Sequence, residues 1–140
     1  MKTVSTTMPQ SPYEVELNGD FVDVLIFENV ESSQNDDGDT VYKYDLYRIP
    51  GLKNRPALIN AIERDIDGWA NMAREMEYKK LADAIRIKRN ELLSETDWTQ
   101  TTDAPLSEDK IEKYRIYRQA LRDMPEQPSF PYGVEWPVVK

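Results

Sequence analysis

Apolar and polar positions change period along this chain, and each change marks an expected element. Tyr13-Glu14-Val15-Glu16-Leu17 alternates apolar and acidic residues, the period of a half-buried strand. Asn18-Gly19 follows, a strong hairpin signal. Phe21 to Phe27 is almost continuously apolar, which predicts a second strand covered on both faces. The polar stretch 31–40 reads as a loop, and Val41 to Tyr47 as a third strand rich in β-formers. Short connections between the three predict an antiparallel meander. Residues 1–12 read as a loose arm, and Pro50-Gly51 as the end of the sheet.

After Pro56 the period becomes helical. Leu58, Ile59, Ile62, Ile66, Trp69, Ala73 and Met76 fall three or four apart and predict one buried stripe. Gly68 reads as a kink or short break in it. Leu81, Ala84, Ile85, Lys88 and Leu92 continue the period in a segment of strong helix formers that ends near Glu95. Residues 96–106 lack helical period and are rich in cap and turn formers. Ser107 suits the N-cap of a last helix, with Glu108 and Asp109 in the dipole-favoured first turn and a Leu106–Ile111 staple. Ile111, Tyr114, Tyr117, Leu121 and Met124 form its inner stripe. Four prolines after Met124 exclude a helix in the tail, while Phe130, Tyr132, Val134 and Trp136 recur at period two. That recurrence predicts an extended, ordered strap across the helices, anchored by Trp136.

Composition narrows the chemistry. Hydrophobic residues are 39% of the 140 and charged residues 31%, so the core must be thin and depend on aromatics. With no Cys and no His, disulfides, thiolate chemistry, imidazole bases and the commonest zinc ligands are excluded together. Asp36, Asp37 and Asp39 surround Gly38, but with Gly38 at the sixth position of a calcium loop the twelfth is Tyr44, where a bidentate Glu is required. A solvated hairpin loop fits better. No glycine-rich phosphate loop is present. The reading is non-enzymatic, with no cofactor and no metal.

The net charge is −8, and residues 1–50 hold ten Asp/Glu against three Lys/Arg. Phosphate backbones need a basic face, so nucleic acid is disfavoured as a partner. The N-terminus does not lead into an apolar run, and no stretch approaches the length needed to cross a bilayer, so no membrane is implied and a cytoplasmic location is expected. Arg115, Arg118 and Arg122 are spaced to share one helix face, as are Arg86 and Arg89. These faces could approach Asp97 or Asp103 if the helices pair antiparallel. Trp98 reads as a plug between the helices. Arginine and aromatics are the usual anchors of interfaces, so Arg89, Trp98, Arg115, Arg118, Arg122 and Trp136 are the candidate partner-binding residues.

Arg89-Asn90-Glu91-Leu92-Leu93, Ser94-Glu95-Thr96-Asp97-Trp98-Thr99-Gln100, Asp103-Ala104-Pro105-Leu106, Tyr117-Arg118-Gln119-Ala120-Leu121-Arg122-Asp123 and Val134-Glu135-Trp136-Pro137 occur in that order. Over Arg86 to Trp136 the chain thereby resembles the C-terminal domain of bacteriophage tail fibre assembly proteins and phage tail assembly chaperones. The resemblance implies a small non-catalytic factor that assists folding, trimerisation or attachment of a receptor-binding tail fibre, in the host cytoplasm and without a cofactor. Its partner would be a tail fibre or another tail protein. Two alternatives stand beside it: a structural component retained in the phage tail, and an acidic DNA mimic.

The expected fold is α+β. An acidic antiparallel β domain spans 1–50, a connecting helix 51–80, and a helix-loop-helix module with its proline/aromatic tail 81–140.

Overall fold

The computed structural model describes residues 1–139 and has an α+β fold. An N-terminal antiparallel sheet of four strands is followed by three α-helices: β1 Lys2–Ser5, β2 Tyr13–Asn18, β3 Phe21–Gln34, β4 Thr40–Lys53, α1 Ala57–Arg64, α2 Ile66–Glu95 and α3 Glu108–Asp123. By contacts the chain divides into two compact units, Met1–Glu77 and the part from Tyr78 on.

In the first unit the strand order is β1-β4-β3-β2. The predicted meander is β2-β3-β4, and its β2–β3 turn falls one residue later than Asn18-Gly19. Asn18 still pairs with Phe21, and Gly19, at φ 63, takes the first loop position, which glycine adopts without strain. The expected loose arm is instead partly a strand. Lys2–Ser5 pairs with β4 from Lys2↔Asp45 to Ser5↔Tyr42, and the terminal ammonium donates to Leu46 O and to Glu77. Sequence could not show this, because the partner strand lies some forty residues away.

The strands β3 and β4 are longer than the apolar pattern predicts. The polar residues 28–34 continue β3 opposite Thr40–Asp45, and Asn35 closes the tip by accepting the N–H groups of Asp37 and Asp39. Two bulges make these long strands bend. Asn29, at φ 53, lies in the first, where Glu28↔Asp45 gives way to Glu31↔Lys43, and its amide donates to Asp45. The second contains Pro50-Gly51, which does not end the sheet. Val24 faces Ile49 but Val22 faces Leu52, so two β4 residues oppose Asp23 alone. Gly51 supplies the positive φ of 70. Its N–H is taken by the Asp23 carboxylate at 2.9 Å, and Arg48 reaches the other carboxylate oxygen at 2.7 Å. These two interactions, the Gly51 N–H first, hold the Asp23 carboxyl below the usual carboxylate range although the residue is buried.

Every residue from Val22 to Phe27 is buried, as the apolar run predicts. Val24, Ile26 and Ile49 pack with Ile62 of α1 and with Ala70 and Ala73 of α2, rimmed by Tyr13, Tyr47, Leu52, Leu58, Ile66 and Trp69. Each large member stabilises the unit by about 1.5–3 kcal/mol relative to exposure. The predicted stripe is right at its centre and wrong at Ile59 and Met76, which are exposed. Arg74 pairs with Glu28 and so ties α2 to the bulged part of β3.

The helix break falls at Asp65, not at Gly68. Asp65 leaves helical geometry at φ −147, and its carboxylate accepts the Gly68 N–H at 3.0 Å, capping the first turn of α2. A Cβ on Gly68 would stand 2.3 Å from that carboxylate. From Ile66 the helix runs unbroken to Glu95, the predicted end.

Candidate functional site

In the second unit one arginine joins α3 to the end of α2. Arg118 is spaced on α3 to lie three and four residues from Arg115 and Arg122, but it turns inward and is only 7% exposed. Its guanidinium donates to Leu93 O at 2.6 Å, to Thr96 Oγ1 at 2.8 Å and to Asp97 Oδ1 at 2.6 Å. A planar fork with five donors can satisfy the last carbonyls of α2, a hydroxyl and a carboxylate at once, which a lysine ammonium cannot. The anticipated approach of the arginine face to Asp97 is therefore real at Arg118, and Arg118 is committed to internal contacts.

The loop 96–106 is not wholly irregular. Asp97–Gln100 forms a 3₁₀ turn. Thr96 Oγ1 caps α2 by donating to Leu92 O and Leu93 O, and Thr99 Oγ1 donates to Thr96 O. This turn buries Thr99 completely and leaves Trp98 49% exposed, with its ring 6.4 Å from Tyr114. The expectation of a Trp98 plug between the helices is thus incorrect. A small threonine fills that place, because its hydroxyl can satisfy the turn from inside and an indole cannot.

On α3, Ser107 is the N-cap as predicted and accepts the Lys110 N–H at 3.4 Å. Ser107 and Lys110 have the spacing of a Ser–Lys nucleophile pair, but the hydroxyl is used by the cap. Ile111, Tyr114 and Tyr117 are half-buried, and Leu121 and Met124 fully buried, as the inner stripe requires. Burial raises the Tyr117 phenol above its ordinary range, with the Glu95 carboxylate adding to it. Arg115 is 70% exposed and paired with Glu112 at 2.6 Å, which raises its already high pKa. Arg122 is exposed. The arginine face therefore splits, with two cations outward and one inward.

The tail is ordered but is not a strap of period two. After a 3₁₀ turn at Met124–Glu126, residues 128–133 turn back on themselves, with Gly133 N–H bonded to Ser129 O at 2.9 Å and a cis peptide before Pro131. Gln127 closes this loop like a backbone unit, donating to Glu135 O at 2.9 Å and accepting its N–H at 2.8 Å. Tyr132 is 63% exposed, so the regular spacing of the aromatics does not reflect a common buried face. Phe130 instead packs edge-on to Tyr78 of α2, with the Arg86 guanidinium 5.7 Å from its ring. Trp136 lies half-buried under Lys88, whose ammonium is 4.6 Å from the ring centroid. Arg89 is half-buried beside Asn90, to which it donates.

Between α3 and the tail end lies an open groove of about 290 Å³, lined by Lys113, Ile116, Tyr117, Ala120, Pro137 and Val138. Ile116 is 61% exposed and Val138 69%. Sequence reasoning missed Ile116, since it sits off the inner stripe among charged neighbours. This part of the chain offers apolar and aromatic surface rimmed by cations. Among the described residues no group of His, Cys, Asp or Glu is placed to hold a metal ion. No helix of the described chain is long and apolar enough to cross a membrane.

Residues 82–139 match the family model of the phage tail assembly chaperone protein. The matched segment takes in all of the resemblance that runs from Arg86 to Trp136, and it starts just inside the second compact unit. No curated protein and no solved structure matches the chain. The match is a likeness of this segment to tail assembly chaperones, and the segment presents contact residues. Arg118, Thr96, Asp97 and Thr99 build the chaperone-family segment, Trp136 and Phe130 fasten its tail, and Trp98, Ile116, Arg115, Arg122 and Val138 remain on its surface.

Proposed function

We propose that this protein is a non-enzymatic assembly chaperone for a phage tail fibre, assisting the folding, trimerisation or attachment of that fibre in the host cytoplasm. The match of residues 82–139 to the tail assembly chaperone family carries the reading. Support comes from the outward side chains of the same segment. Trp98, Ile116 and Val138 are large, apolar and exposed, with Arg115 and Arg122 nearby on α3, the residue types that anchor protein interfaces. Of the six candidate residues, Trp98, Arg115 and Arg122 would touch the client, while Arg89, Arg118 and Trp136 would shape the surface that does.

The test is co-expression with a tail fibre protein of the same phage. The reading requires that soluble, trimeric fibre depend on this chain and that purified particles lack the chain by mass spectrometry. Soluble trimer without the chain overturns it. A chain retained in the particle at fixed stoichiometry supports the structural-component alternative instead.

A further inference from the structure

The two edges of the sheet are not alike. The β1 edge is four residues long, carries Lys2, and is pinned through the terminal ammonium to Leu46 and Glu77, features that blunt an edge. The β2 edge is six residues long and has none of these. Its hydrogen-bond phase follows from the hairpin. The closing pair Asn18↔Phe21 flanks a two-residue loop, so alternate pairs, Glu16↔Asp23 and Glu14↔Leu25, exchange bonds with β3. The Pro12 O to Phe27 N–H bond continues the same phase. Val15 and Leu17 must then direct their N–H and C=O groups away from the sheet. Tyr13 shares that direction, and its N–H is already taken by Ser11 Oγ.

Side chains reinforce the point. Val15 pairs with Val24 and Leu17 with Val22, so both lie on the sheet face that carries the core, yet they are 36% and 79% exposed. Tyr13 donates to Glu63 of α1 at 3.2 Å, which sets that face of α1 over the start of β2. Ile59, one turn before Glu63 on the same face, is 49% exposed. The core therefore reaches the β2 edge and stops there uncovered. On the opposite face Glu16 pairs with Arg48 at 2.9 Å, while Glu14 extends into solvent.

The carboxylates decide what can dock. A second copy of β2 pairing antiparallel with Val15 opposite Val15 sets Glu14 against Glu16. With Val15 opposite Leu17 it sets Glu16 against Glu16. Like charges directly opposite are destabilising, so the edge is protected against itself. A strand with lysine or arginine facing Glu14 and Glu16, and apolar residues facing Val15 and Leu17, meets both faces favourably. We infer that the outer edge of β2 is a docking site for an extended partner segment that alternates basic and apolar residues and adds as a fifth strand. This inference stands on the sheet geometry and does not need the tail fibre as client.

The test uses the full chain and three synthetic peptides of equal length: lysine alternating with valine, glutamate alternating with valine, and lysines and valines in two separate blocks. The alternating basic peptide is expected to bind, to protect the Val15 and Leu17 amides from hydrogen exchange, and to bind at least tenfold more weakly to Leu17→Lys. Val15→Pro, which removes only an outward N–H and so spares the β3 ladder, is expected to abolish protection at Leu17, and added salt is expected to weaken binding of the basic peptide. Equal binding of the alternating acidic peptide overturns the proposal. So does equal binding of the block peptide, which would mean charge attraction alone, or unchanged exchange at Val15 and Leu17. Self-association of the free chain through this edge, seen by sedimentation and lost in Leu17→Lys, would also overturn it.

Discussion

At the scale of single residues, two buried charged groups do structural work that composition would have assigned to the surface. Arg118 is the first. Replacing it by alanine removes three charge-assisted bonds that tie α3 to the end of α2, so urea unfolding of Arg118→Ala should show a loss of about 3 kcal/mol. Asp97 accepts one of those bonds but is 66% exposed at its side chain, so water replaces its partner readily. Asp97→Ala should cost less than about 1 kcal/mol. Equal losses for the two would show that the ion pair, and not the carbonyl clamp, holds α3 to the end of α2. Asp23 is the second. Its folded pKa lies below the ordinary value because the Gly51 N–H and Arg48 favour the carboxylate. Stabilisation from Asp23 is therefore full above the unfolded pKa of about 3.9 and is lost as pH falls towards the folded value. Wild type should outlast Asp23→Asn in thermal melts at neutral pH, and the gap should narrow below about pH 4. A gap that is constant with pH would mean that the carboxylate charge is irrelevant to the bulge.

At the scale of elements, what was legible was what repeats locally. The run Phe21 to Phe27, the helical period after Pro56, the end at Glu95 and the Ser107 cap could all be read from neighbours within a few residues. The bulge at Gly51 could not, because Pro-Gly is a turn signal in isolation and only Asp23, on another strand, makes it a strand irregularity. Nor could the outer halves of β3 and β4, where pairing is not accompanied by burial and so leaves no apolar trace. The junction of α1 and α2 shows the same limit. Gly68 looked like the breaker, yet it is bare because the Asp65 cap occupies the space a Cβ would need. Asp65→Ala should destabilise by about 1 kcal/mol through loss of the cap. Gly68→Ala gains about 1 kcal/mol of helix propensity but displaces the same carboxylate, so its net effect in urea titration should be near zero. A clear gain in Gly68→Ala would show that the cap contributes little.

At the scale of the molecule, the candidate site was legible as a segment but not as a surface. The residues that make the chaperone-family match include many that build the fold, and residue type alone does not separate these from the ones left outside. Arg118 and Trp98 changed places in this respect: the arginine is inside, and the tryptophan outside, because the 3₁₀ turn needs a small hydroxyl residue at its buried position and α2 needs a forked donor at its end. This division makes the proposed function testable without unfolding the protein. Trp98→Ala and Ile116→Asp alter side chains that are 49% and 61% exposed. Truncating or charging them should leave stability within about 0.5 kcal/mol, as for most surface changes. If Trp98 and Ile116 are the client contacts, the double variant should keep the wild-type melting temperature and yet lower the yield of soluble tail fibre on co-expression severalfold. Leu17→Lys, in the sheet, supplies an internal comparison. Loss of fibre solubility with Leu17→Lys alone would place the client at the β2 edge, and undiminished yield with the module variant would remove the Trp98–Ile116 surface from the mechanism.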